Sequence, residues 1–178
     1  MIQEQNKPEQ YMQEQTHCKP GRIFVFIGGM VSGIVLAGIG MWLVMPGMML
    51  VTHQSRFDTV EETCRQLKLS IETNRWRCSG IRDINTMLTK QGQALERQVR
   101  IVELCKAEYA TEILENNPEV STLMPCAWGV YAGNDGTVYI TGMNMGLMGK
   151  MFGGTIARIM GGTVAMEERK MLRNVIRD

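Results

Sequence analysis

The sequence predicts an α+β fold, a small, mainly antiparallel sheet packed with helices and preceded by one N-terminal transmembrane helix. Three observations predict it. The run from Ile23 to Val51 carries no charged side chain. Two β-rich segments are joined by Gly133-Asn134-Asp135-Gly136, residues that take up positive φ readily, as a hairpin requires. Downstream of the apolar run, helix-period and strand-period segments follow one another as strand, helix, strand, short helix, strand, helix, hairpin, helix, an order that suits an α+β domain. With 178 residues the chain has room for one modest domain and an appendage.

Residues 1–22 are rich in Gln and Glu and poor in apolar side chains, so they are expected to form a disordered polar tail. Residues 23–49 are expected to be the membrane helix, since about 20 apolar residues cross a bilayer core. The run continues through Trp42 to Pro46 with no small-residue cleavage site, which reads as a retained anchor rather than a signal peptide. Lys19 and Arg22 flank its start closely, whereas Arg56, Arg65 and Lys68 lie further from its end. By the positive-inside rule the N-terminus stays inside, so the expected location is the inner (cytoplasmic) membrane with a periplasmic or extracytoplasmic domain. Gly29, Gly33 and Ala37 fall four apart on one helix face, a small-residue surface that lets a second helix approach.

Pro46 and Gly47 break the helix, and "MMLVTHQ" begins a strand almost without a linker. Val60, Cys64, Leu67 and Ile71 mark one face of a helix, with Asp58 and Glu61 as its expected capping pair. "RWRCSGIRDIN" reads as a short strand and turn, and "TMLTKQGQAL" as a short helix ending near Gly92. Arg97–Cys105 alternates Val99, Ile101 and Glu103 with Arg100, Val102 and Leu104, and is expected to be a central strand. "KAEYATEIL" is a helix stopped by Asn116, Asn117 and Pro118. After the hairpin, Leu147, Met148, Met151, Phe152, Ile156, Ile159 and Met160 are expected to form one broad apolar helix surface. The domain is drawn over 50–162, with 163–178 as a C-terminal amphipathic helix that docks on the sheet through Val164, Met171, Leu172, Val175 and Ile176.

The net charge of +1 supplies no field for nucleic acid, and no nucleic-acid partner is predicted. Nor is a nucleotide. "MNMGLMGKM" places Gly149-Lys150 as a phosphate loop would, but Asn144 replaces the leading glycine and Met151 the magnesium-binding hydroxyl. The two histidines, His17 and His53, leave a Ser-His-Asp arrangement almost without candidates, and the carboxylates sit at spacings of a solvated face. No catalytic residue is assigned, and an enzyme is less expected than a binding protein.

Five cysteines and 16 methionines remain. Thioethers and thiolates select copper(I), so Cys105, Cys126, Met148 and Met151 are candidates for a thiol or soft-metal site that would handle copper, haem or a sulfur species. Methionine as adaptable packing is the ordinary explanation, and no cofactor is predicted. Cys64, on an apolar face, is expected to be packed, and Cys64, Cys78, Cys105 and Cys126 allow three full disulfide pairings in an oxidising compartment.

The segments "FDTVEETCRQL", "RWRCSGIRDIN", "RIVELCKAEYATEIL" and "LMPCAWGVYAGNDGTVYITGMNMGLMGKMFGG" together resemble the bacterial and archaeal domain of unknown function numbered 302, over roughly Leu50 to Gly162, and in particular its membrane-anchored members. The resemblance implies a compact α+β fold and a tendency to self-associate, and no established reaction. The family positions that stand out fall on Cys105, Pro125-Cys126, Asn144 and Gly146, while Arg75-Trp76-Arg77 and Cys78 depart from the usual small or apolar residues. The expected function is that of a single-pass anchored interaction protein, an oligomer or accessory subunit of a membrane complex. Its candidate interface is Asn144, Gly146, Leu147, Met148, Met151 and Phe152. A further expectation is that Met143–Met160 lies partly in the lipid surface, with Lys150 and Arg158 near headgroups.

Overall fold

A computed structural model of the protein describes residues 20–177, with side chains placed over 27–43 and 47–177. The tail expected over 1–22 lies outside the described residues up to Lys19. The chain divides into two compact units, Met1–Leu43 and Val44–Asp178. Helix α1 (Pro20–Met49) begins slightly earlier than the apolar run predicts. All its described side chains are exposed, among them Ile34, Leu36, Trp42 and Leu43. Among the described residues no helix is long and apolar enough to cross a membrane, the first continuous stretch of described side chains in α1 covering 27–43.

The second unit is built on a five-stranded sheet of order β1-β5-β4-β3-β2, antiparallel throughout. Its strands are β1 (Leu50–Gln54), β2 (Arg77–Asp83), β3 (Val99–Cys105), β4 (Cys126–Ala132) and β5 (Val138–Met143). The period of two sends Val102, Leu104, Trp128, Val130, Val138 and Ile140 to one face, where they are buried. Thus the Val102 and Leu104 set of β3 faces the core. β3 is an interior strand as expected, flanked by β4 and β2, and β4 takes the middle position because β1 returns to pair with β5 through the register Leu50↔Met143 to Gln54↔Tyr139. The opposite face carries the stacked rings of Tyr131 and Tyr139 and the Arg82–Glu103 ion pair.

Helix α2 (Val60–Thr73) covers the core face with Val60, Cys64, Leu67 and Ile71, the face that the spacing predicts. Burying Leu67 and Ile71 stabilises the fold by about 1.5–3 kcal/mol each. The cap sits one residue later than expected. Thr59 takes the extended conformation (φ −126, ψ 146) and its hydroxyl accepts from Glu62 N at 3.2 Å, while Asp58 points outward to Arg177. Below the helix, Ser55 and Thr63 form a buried hydroxyl pair at 2.7 Å. The short α3 (Ile84–Thr89) begins two residues before the expected segment and ends at Thr89, short of Gly92, whereas α4 (Ala107–Asn116) falls where predicted; a 3₁₀ turn over Pro118–Leu123 then leads to the cis Met124-Pro125 bond and β4.

The apolar surface expected from Leu147 to Met160 is split. Helix α5 (Met145–Phe152) stops at Gly153 and Gly154, whose φ values of +70 and +53 turn the chain back. A second helical run follows without interruption as α6 (Gly154–Ile156), a π-helical segment (Ala157–Val164) and α7 (Ala165–Leu172). The two runs cross at glycine, for a Cβ on Gly149 would sit 2.6 Å from Gly161 Cα and 2.8 Å from its nitrogen. The C-terminal helix is continuous with this run. The helix expected over 163–178 ends at Leu172, and beyond it the chain turns and pairs with the β1 edge, with Arg177 N donating to Gln54 O at 2.9 Å and Ser55 bridged to Ile176.

Candidate functional site

Asn144 leaves β5 at the point where α5 must begin. Its Oδ1 accepts from Leu147 N at 3.1 Å, satisfying one orphan amide of the first helical turn. Its Nδ2 donates to Met48 O at 3.1 Å and its backbone N to Met49 O at 2.8 Å. Two concavities open on either side of this residue, and both are lined by Met143 and Asn144.

The first is an apolar groove of about 160 Å³, formed by Met49, Leu123, Met143, Leu147, Met148, Met151 and Phe152 around Asn144. Met151 and Phe152 are half exposed, whereas Met148 is buried against the core. The residues expected at the interface therefore separate. Leu147, Met148, Met151 and Phe152 line this groove, and Gly146 turns to the other side of Asn144.

That other side is a cleft of about 250 Å³ between the β1–β5 edge and α7. The register puts Val51, Gly142 and Trp128 in one row across the core face, with His53 and Ile140 in the next, and α7 contributes Ala165, Glu168, Arg169 and Leu172. The Trp128 indole N–H donates to Glu168 Oε1 at 2.5 Å. Burial raises the Glu168 carboxyl above the usual carboxylate range, an effect that the Trp128 bond and the Arg169 charge only partly oppose.

One residue earlier on α7, Glu167 is surrounded. It accepts from Trp76 Nε1 at 2.6 Å, Tyr109 Oη at 2.8 Å and Lys106 Nζ at 3.1 Å. Burial pushes this carboxyl up, but the three donors outweigh it and hold the group below its ordinary value. The Lys106 ammonium, 4.4 Å from the Tyr109 ring centre, is raised in turn, chiefly by the Tyr109 hydroxyl. This network joins α7 to α4 and to the start of β2.

Cys105 and Cys126 line one narrow crevice of about 20 Å³ beside that network, with Tyr109, Ile113 and Met160. Met148 and Met151 line the α5 groove instead, so the four sulfur candidates do not converge. Burial, with Glu168 and Cys105 nearby, pushes the Cys126 thiol up to about 12, and burial pushes Cys64 up to about 11. Neither is a thiolate near neutrality. The four cysteines of the domain are unpaired, and among the described residues no group of three His, Cys, Asp or Glu side chains is placed to hold a metal ion.

Sequence reasoning missed Glu168, Trp128, His53 and Arg169 as neighbours. Only the family positions Asn144 and Gly146 pointed to the cleft.

The fold and its two concavities define a small α+β domain on a five-stranded antiparallel sheet. The chain belongs to the family DUF302, a domain of unknown function, whose sequence pattern matches residues 51–178 and so includes the C-terminal helix. Among solved structures it is similar to an uncharacterized conserved DUF302 protein from Bacillus stearothermophilus, at 20% identity and a TM-score of 0.63, over 71% of this chain and 98% of that one. At that identity the likeness is one of fold. Among curated proteins, none matches the chain.

Proposed function

We propose that the chain is a single-pass anchored binding protein of the inner membrane, with its α+β domain on the extracytoplasmic side, and that it works as an assembly of copies rather than as an enzyme. The observation that carries this reading is the exposure of every described side chain of α1 within an uncharged run from Ile23 to Val51. A helix apolar on all sides is covered by lipid or by another chain. Gly29 and Gly33 have nothing within 4 Å of an added Cβ, so their face has room for a second helix. Leu50 enters β1 directly after Met49 ends α1, which tethers the domain without a linker.

A second copy is the partner this reading commits to, with the α5 groove as the contact within the domain. The half-exposed Met151 and Phe152 supply adaptable apolar area there. The thiol or soft-metal alternative is weaker, because Cys105 and Cys126 share a narrow crevice apart from Met148 and Met151, and the Cys126 thiol is held neutral by burial.

Carbonate extraction of native membranes and crosslinking in mild detergent test the proposal together. The chain should stay in the membrane pellet and crosslink as an oligomer, and Gly33→Leu should reduce the crosslinked fraction. Release by carbonate would sink the anchor; undiminished crosslinking of both G33L and Phe152→Asp would sink the assembly.

A further inference from the structure

The two adjacent glutamates of α7 differ in one respect that packing does not explain. Glu167 has donors for both oxygens and an ammonium partner in Lys106. Glu168 has one donor, the Trp128 indole on Oε1, and makes no ion pair among the described residues. Glu168 lines the cleft, and its second oxygen, which accepts no hydrogen bond from the described residues, is not closed off from solvent. Arg169, the cation beside it, is exposed and donates its Nε to Ala165 O at 3.2 Å. A largely desolvated carboxyl without a cation is costly unless something supplies one.

The surroundings leave open space beside the carboxyl. Gly142 lies under the junction of indole and carboxyl, where a Cβ would stand 2.8 Å from Trp128 Cδ1 and 3.6 Å from Glu168 Oε1. Val51, Ile140, Ala165 and Leu172 make much of the wall apolar, with His53, Asn144 and Arg169 as polar lining beside Glu168. A volume of about 250 Å³ accommodates a small organic molecule. A largely apolar wall around a part-buried carboxyl suits a ligand with an apolar body and a cationic donor, since charge-assisted bonds are the strong ones.

We propose that this cleft is a binding site for a small organic ammonium ligand, whose N–H groups meet the Glu168 carboxylate and whose apolar body lies against Val51, Ile140 and Leu172. The inference does not rest on the membrane anchor or on self-association, and either can fail without the other.

The test uses the full chain in phospholipid nanodiscs with ¹⁵N-labelled indoles. Trp76, bonded to Glu167, is a built-in control for Trp128, bonded to Glu168. Phenethylamine, 2-phenylethanol and 3-phenylpropanoate offer the same apolar body with cationic, neutral and anionic heads. Phenethylamine should shift the Trp128 Nε1–H signal saturably while Trp76 stays still, and should bind roughly tenfold tighter than the alcohol. Glu168→Gln, whose amide oxygen still accepts from Trp128, should abolish this preference, with an unmoved Trp76 signal reporting an intact fold. No shift at Trp128, equal binding of the alcohol, tighter binding of the propanoate, or an unchanged preference in E168Q would each overturn the proposal.

Discussion

The Asn144 side chain donates to the Met48 carbonyl at 3.1 Å, and so joins the last turn of α1 to the first turn of α5. The same side chain caps α5 by accepting from Leu147 N. Two roles in one amide can be separated by substitution. Asn144→Ala removes both and should cost about 1–2 kcal/mol in chemical denaturation. Asn144→Asp keeps the cap but loses the donor, so it should fall between wild type and N144A. Equal losses in the two variants would show that the cap contributes nothing measurable.

Gly149 and Gly161 allow α5 and the π-helical segment to touch backbone to backbone. The atoms that an added methyl would meet at position 149 are Gly161 Cα and N and, at 3.2 Å, Ala157 Cα. None is the movable end of a side chain. Gly149→Ala should therefore destabilise the domain by about 1–3 kcal/mol. Gly162→Ala, in the same π-helical segment but with nothing within 4 Å, should stay within about 0.5 kcal/mol of wild type. Thermal melts of the two variants side by side decide this, and a harmless G149A would mean the helices separate freely.

Much of this fold was legible because short-range chemistry dictates it. The Gly133–Gly136 turn, the Val60-Cys64-Leu67-Ile71 face and the Asn116-Asn117-Pro118 stop each depend on a few neighbouring residues, and each stands where expected. The Gly153-Gly154 reversal is hidden in the sequence because apolar spacing runs through it unbroken, and spacing does not show that both glycines take positive φ. The cleft was illegible for a stronger reason. Glu168 reads as one more charge on an amphipathic helix, and its partner Trp128 lies 40 residues away on β4, so only the folded sheet brings them together. Asn144 and Gly146 were visible as positions, but their roles were not.

The buried thiols set a reactivity prediction. Cys126, pushed up to about 12, and Cys64, pushed up to about 11, remain protonated at neutral pH. In a Cys18→Ser chain, maleimide labelling of these two should lag far behind their labelling in denaturant, because the thiolate is the reactive form. Both folded values exceed the ordinary 9.0. The protonated native thiols therefore support stability fully below about pH 9, and that contribution is lost as the pH rises toward the folded values. Rapid labelling of Cys126 in the native chain near pH 7, read by peptide mass spectrometry, would contradict its burial.

Glu167 and Glu168 should move stability in opposite directions with pH. Glu167 is held below its ordinary value of 4.5 by Trp76, Tyr109 and Lys106, which outweigh its burial. Its stabilisation is complete above that ordinary value and is lost as the pH falls through the folded value. Glu168 is raised by burial, against the opposing Trp128 bond and Arg169 charge. Its neutral form is the one the fold prefers, so its contribution is complete below the ordinary value and is lost as the pH rises through the folded one. Glu167→Gln should accordingly cost most near neutral pH and least in acid. Glu168→Gln should cost most in acid and approach or exceed wild-type stability near neutrality, where the uncompensated carboxylate burdens the native state. Urea denaturation from about pH 3 to about pH 7 gives both differences as functions of pH. Their slopes should have opposite signs, and parallel curves would show that the two carboxyls occupy equivalent surroundings.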